Sequence, residues 1–159
     1  MNVSVIASGS NGNSSLVEDK DTLILIDAGK TIKEIEDRLH KMGKSLENLN
    51  AVLLTHGHID HYMSVGEVSR KYNVTVFMTK KTHGICKGGL RKTIVKYFRP
   101  NQNFMVGNLL VEPVETSHDI PCTGFRIGKF GLFTDTGIVT KEMKKVISKI
   151  DGIILESNH

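Results

Sequence analysis

The chain has 159 residues, 39% hydrophobic and 24% charged, the size and balance of one globular domain spanning 1–159 with a core of its own. Two cysteines, Cys86 and Cys122, are too few for a disulfide framework or a four-cysteine zinc site and read as plain thiols in a reducing cytoplasm. A formal charge of +4 adds a mild bias toward polyanions such as nucleic acid.

At the amino terminus no basic segment leads into a long apolar stretch, so no secretory signal is read. Residues 3–7, 15–17 and 22–26 have the Val, Ile and Leu content of strands. Between the first two lies Ser8-Gly9-Ser10-Asn11-Gly12-Asn13-Ser14, which lacks the Gly-Lys-Ser/Thr ending of a phosphate loop. Strand 22–26 leads into Asp27-Ala28-Gly29. A helix follows, with Thr31 as its cap, Glu34 completing a capping box, Ile32, Ile35, Leu39 and Met42 as its apolar stripe, and Gly43 as its stop. Strand 51–54 then runs into Thr55-His56-Gly57-His58-Ile59-Asp60-His61. A helix over 63–72, a strand over 74–78 and a helix over 80–86 come next, followed by strands at 109–114, 124–127 and 131–133. Thr140 caps a last helix, in which Met143, Val146, Ile147 and Ile150 recur at helical spacing, before strand 152–155. The basic stretch 141–149 is the solvated face of that helix. No apolar run approaches the ~20 residues of a membrane helix, and no membrane association is expected. Strands in succession, strands alternating with helices, and strands again predict an α/β sandwich.

The chemistry concentrates at strand exits. Side chains two apart in an extended segment project the same way, which would let His56, His58 and Asp60 converge. A turn into the following helix would then swing His61 beside Asp60, toward a second ion. Imidazole and carboxylate suit zinc, manganese or iron, and a mixed set with open positions is what catalysis requires. His118 and Asp135 stand beyond two further strands, where a third imidazole ligand and a bridging carboxylate could enter. Asp27, in the same situation, could accept the second N–H of a ligand histidine and fix its tautomer. His40 and His83 fit no such pattern and read as surface residues.

Together these residues resemble the metallo-β-lactamase superfamily, whose signature is Thr-His-x-His-x-Asp-His, a later isolated His, a bridging Asp and a final His. The opening Ser8-Gly9-Ser10-Asn11-Gly12-Asn13-Ser14 and the closing Leu155-Glu156-Ser157-Asn158-His159 are similar to the YycJ/WalJ branch. The resemblance implies a four-layered αββα sandwich holding two divalent ions, zinc or manganese, at one edge between the sheets. It implies one ion on His56, His58 and His118, another on Asp60 and His61, and Asp135 bridging. Asp27 would stand behind the ligands, and Asp60, Asp135 and His118 would carry the catalytic work. Branch relatives are DNA exonucleases acting from the 5′ end, so a phosphodiesterase acting on nucleic acid is the expected function. The same hydroxide could instead attack a small ester, thioester or lactam. Relatives also continue past the Glu-Ser-Asn-His motif to a Gly-His-Leu segment that completes the second ion's ligands, so a C-terminally truncated fold is expected. His159 would then be terminal, and a non-catalytic metal-binding module is the remaining alternative. Substrate-contacting side chains are not indicated.

Overall fold

The computed structural model describes residues 1–86 and 88–156, and the expectation for His159 lies outside them. Six strands form the first sheet in sequence order: β1 (Asn2–Ala7), β2 (Ser14–Asp19), β3 (Thr22–Ile26), β4 (Ala51–Leu53), β5 (Val76–Met78) and β6 (Val95–Tyr97). The first three pair antiparallel, and β3 through β6 run parallel. The second sheet contains β7 (Phe104–Val106), β8 (Leu109–Glu115), β9 (Thr123–Ile127) and β10 (Phe130–Phe133) as an antiparallel set. Against β10 lies β11 (Gly152–Leu155), parallel to it.

Side-chain alternation turns these sheets into layers. On β3 and β4, Ile24, Ile26, Ala51 and Leu53 face the second sheet and pack with Val111, Phe125, Ile127 and Leu132. Leu23, Leu25 and Val52 face the other way, onto α1 (Ile32–Lys41) and α3 (Val65–Tyr72) through Ile35, Leu39, Val65 and Val68. On the outer side of the second sheet, Val114 and Phe133 meet Met143, Val146 and Ile147 of α5 (Lys141–Ile147). The order helix, sheet, sheet, helix is the expected αββα sandwich. The inner strands read as near-continuous apolar runs because both their faces are covered.

Thr31 caps α1 as expected: its side chain accepts from the Glu34 N–H, and the Glu34 carboxylate accepts in return from the Thr31 N–H. Thr31→Ala is expected to destabilise the protein by about 1 kcal/mol, read as a lower urea midpoint at unchanged m-value. The helix ends one residue earlier than its apolar stripe suggested. Met42 is its C-cap and is exposed, while Gly43 takes the left-handed conformation (φ 67°) that turns the chain away.

Three other departures have local causes. The helix expected over 63–72 is α3, which begins two residues later, and an unexpected short helix, α2 (Ile59–Tyr62), precedes it; the two stay separate because the Ser64 N–H donates to the Ala28 carbonyl instead of continuing the first. Strands β6 and β7 were not expected, since each is three residues long and, unlike the equally short β4 and β5, mostly unburied, so no apolar run marks it. The last helix stops at Ile147, yet Ile150 still packs beneath it against the second sheet. No helix of the described residues is long and apolar enough to cross a membrane.

Candidate metal centre

Asp27 follows β3, His56 and His58 follow β4, His118 follows β8, and Asp135 follows β10, so four strand exits deliver their polar residues to one rim between the sheets. A hydrogen bond from the Thr123 N–H to the Thr55 carbonyl (3.1 Å) ties the sheets together there. Asp27 and Asp135 both take the left-handed conformation, φ 61° and 51°, which bends the chain sharply off the strand; Asp tolerates it better than most side chains.

Two groups of donors result. In the first, His58 Nδ1 lies 3.1 Å from His56 Nε2 and 3.2 Å from His118 Nε2. In the second, His61 Nε2 lies 3.0 Å from Asp135 Oδ2, and His56 Nε2 lies 3.9 Å from the same oxygen. Within each trio every ligand atom is within 4.8 Å of the others, and His56 belongs to both. Asp60 stands beside the second group, its Oδ2 3.6 Å from His61 Nε2.

Buried hydrogen bonds assign the tautomers. Asp27 is 2% exposed; its Oδ1 accepts from the Thr55 N–H (2.9 Å) and its Oδ2 from the Thr55 hydroxyl (2.8 Å). Having spent its proton on Asp27, the Thr55 oxygen can only accept from His56 Nδ1 (2.9 Å), which leaves the His56 Nε2 lone pair facing the centre. His61 Nδ1 lies 2.8 Å from Asp27 Oδ2 and donates to it, so its Nε2 likewise faces inward. One carboxylate thus orients an imidazole of each group, one directly and one through a hydroxyl.

The electrostatics favour a cation. Burial, followed by the nearby His61 charge, pushes His56 down to about 3 and keeps it a neutral donor. Burial also opposes charge on His61, but the Asp27 and Asp135 carboxylates outweigh it and push its pKa up to about 10, so an ion bound at Nε2 would take the place of the proton there. Asp135 is held below its ordinary range: burial raises it, but the hydrogen bond and charge of His61 prevail. Glu156 is raised by burial and then by the charges of Asp135 and Asp60. Ring nitrogens gathered within about 3 Å of one another, beside carboxylates that favour positive charge, are a donor set that fits divalent ions of the zinc or manganese kind.

The expected route to convergence needs one correction. His56 and His58 do project together from extended chain, but α2 begins at Ile59, so Asp60 and His61 arrive on a helical turn rather than in the same extended run. Asn13 was missed. Its side-chain amide donates to Asp60 Oδ2 (3.3 Å) and lies 2.9 Å from His61 Nε2, while its Oδ1 accepts from the Gly9 N–H. Its sequence signal was its place in the glycine-rich segment 8–14, which carries the branch resemblance but assigns Asn13 no role. Asp119 was also missed, with carboxylate oxygens 2.9 Å from His118 Nε2 and 3.4 Å from His58 Nε2. His40 is exposed, and His83 Nδ1 pairs with the Tyr97 hydroxyl at 2.7 Å, both away from the centre. Cys86 and Cys122 are buried free thiols, each pushed up to about 12 by burial and so unreactive.

A stacked pair of sheets with imidazoles and carboxylates gathered at one rim defines a class, the αββα sandwich proteins built to hold metal ions. Residues 7–139 match the family model of the Metallo-beta-lactamase superfamily, and the chain belongs to that superfamily. It is 33% identical to the exodeoxyribonuclease WalJ of Streptococcus pneumoniae over 98% of its length and 62% of the relative's. It is 31% identical to the exodeoxyribonuclease YycJ of Bacillus anthracis over 100% of its length and 63% of that protein's. The chain therefore spans under two thirds of these relatives. Among solved structures, a diphosphatase of the PhnP family superimposes with a TM-score of 0.77 at 18% identity, covering 95% of this chain and 72% of that one. At that identity the likeness concerns the fold alone.

Proposed function

We propose that the chain is the metal-binding portion of a phosphodiesterase that hydrolyses DNA from a strand end. The observation that carries this reading is the pair of donor groups sharing His56, with Asp135 reaching His61 and His56 at 3.0 and 3.9 Å. Similarity to two exodeoxyribonucleases over essentially the whole chain supports nucleic acid as the substrate, and the net charge of +4 is in keeping with it. Two buried, inert thiols suit a cytoplasmic setting.

In this reading His56, His58 and His118 would hold one ion, and His61, Asp60 and Asp135 would hold the other. Bound divalent ions supply Lewis-acid activation of water near neutral pH and neutralise charge at phosphorus. The protein's own contribution is orientation. Asp27 and Thr55 hold His56 and His61 in the tautomers that present Nε2, and the Asn13 amide fixes the Asp60 carboxylate. Asp60 and Asp135, acceptor-only when ionised, align the attacking water by taking its hydrogen bonds. His118 and His58 are the part-buried members of the histidine trio, on its solvent side.

The test joins metal analysis to turnover. Purified protein is expected to carry two divalent ions per chain and to release nucleotides from phosphorylated single-stranded DNA, losing that activity on chelation and regaining it on adding zinc or manganese. Turnover of a small thioester or lactam with none of DNA would overturn the substrate assignment, and metal binding without any turnover would favour the non-catalytic module.

A further inference from the structure

A cavity of about 620 Å³ opens beside the metal centre and is not accounted for by the ion-binding residues. Its walls come from the segment after β5, the β6–β7 connection and the β8–β9 connection, and they include Lys80, Lys81, Tyr97, Arg99, Glu115 and Pro121. Two of these walls also build the centre. Pro121 follows His118 in the same loop, and α4 (Lys80–Cys86) has its first turn on the cavity and its last turn, Ile85 and Cys86, against Gly57 between the candidate ligands His56 and His58.

Three cations against the single carboxylate of Glu115 leave the lining positive. Lys80, Lys81 and Arg99 form no ion pair among the described residues, although proteins commonly pair clustered cations. Tyr97 is 49% exposed, and its hydroxyl is tethered 2.7 Å from His83 Nδ1, which restrains the ring. Lys80 Nζ lies 5.8 Å from that ring's centroid. Cations for phosphate, a restrained aromatic face for a base and a volume within the 300–1,000 Å³ of small-molecule sites together describe a seat for one nucleotide.

We infer that this cavity binds one nucleotide of a single strand, with Lys80, Lys81 and Arg99 on its phosphate and Tyr97 stacked on its base. The inference rests on the nucleic-acid reading above and adds the residues that grip the strand. Lys and Arg contribute differently: the ammonium groups act as mobile point charges, and the guanidinium fork sets the angle of approach.

The experiment is fluorescence anisotropy on the full chain as purified, with a 5′-phosphorylated, phosphorothioate-linked oligo-dT probe that resists cleavage. Wild type is expected to bind. Joint replacement K80A/R99A should weaken binding at least tenfold and flatten the dependence on salt by roughly one unit of slope for each phosphate no longer neutralised. Y97A should weaken binding about fivefold or more and Y97F by less, because Y97F keeps the face of the ring and loses only the tether to His83. K144A/K145A, on α5 and outside the cavity lining, should bind as wild type does. Equal binding by wild type, K80A/R99A and Y97A would overturn the cavity assignment and leave the nuclease reading standing. No binding of the probe by wild type would overturn both, so the two failures are told apart.

Discussion

Asp27→Ala is expected to destabilise the protein by about 3–5 kcal/mol, because it strips the shared partner from three buried donors. The Thr55 N–H, the Thr55 hydroxyl and His61 Nδ1 all converge on this one carboxylate at 2.8–2.9 Å. Asp27→Asn separates orientation from packing. It keeps the size and one acceptor, but its NH₂ would face both the Thr55 hydroxyl and His61 Nδ1, so His61 must turn Nδ1 into an acceptor and place its proton on Nε2. An imidazole protonated at the inward nitrogen cannot ligate. Metal affinity should fall about 10–100-fold while the thermal transition moves far less than in the alanine variant. Thr55→Val cuts the relay to His56 and leaves the Asp27–His61 hydrogen bond in place, so its loss should fall mainly on the ion that the histidine trio would hold. Competition against a chromophoric zinc chelator reads all three variants, and wild-type affinity at both positions in Asp27→Asn would show that the carboxylate does not govern the tautomers.

The contrast between Asp27 and Asn13 shows what could be read from the chain. Asp27, His118 and Asp135 were legible because each follows directly on an apolar strand, a position that announces itself locally even when its partners do not. His56 and His58 were legible for the same reason, and their spacing of two delivered the geometry. Asn13 lies in a polar turn like many others, and its meaning depends on α2 arriving beside it from 47 residues away in sequence. Thr55 stood in the motif, but its part in the centre emerges only from the position of its hydroxyl between Asp27 and His56.

The fold divides along a similar line. Strands buried on both faces, such as β3 and β4, carry enough consecutive apolar residues to be recognised. The short β6 and β7 are defined by their neighbours rather than by their own composition. The cavity beside the centre was out of reach for the same reason: its lining comes from three separate connections, none of which carries a motif.

Gly29→Ala is expected to damage the centre through the backbone alone. A Cβ at Gly29 would overlap the carbonyl oxygen of Asp60 and press on the Asn13 nitrogen. Neither obstacle can rotate aside, unlike a side chain. Around this point four backbone hydrogen bonds join the loop after β3 to the glycine-rich turn and to α2: Gly29 N–H to Asn13 (2.9 Å), Asn13 N–H to Asp60 (2.7 Å), Ala28 N–H to His61 (2.8 Å) and Ser64 N–H to Ala28 (2.8 Å). Making room for one methyl therefore moves the segment that carries Asp60 and His61. A loss of about 3 kcal/mol is expected, at the upper end for overpacking because backbone rather than side chain must yield. Gly84→Ala supplies the internal comparison: it is exposed within α4 with nothing near its Cβ, and should stabilise by about 0.5–1 kcal/mol through helix propensity. Urea unfolding measures both, and metal binding assigns the damage. If Gly29→Ala is as stable as wild type, or loses stability while still binding the second ion with full affinity, the close approach of these two segments is not what sets the positions of Asp60 and His61.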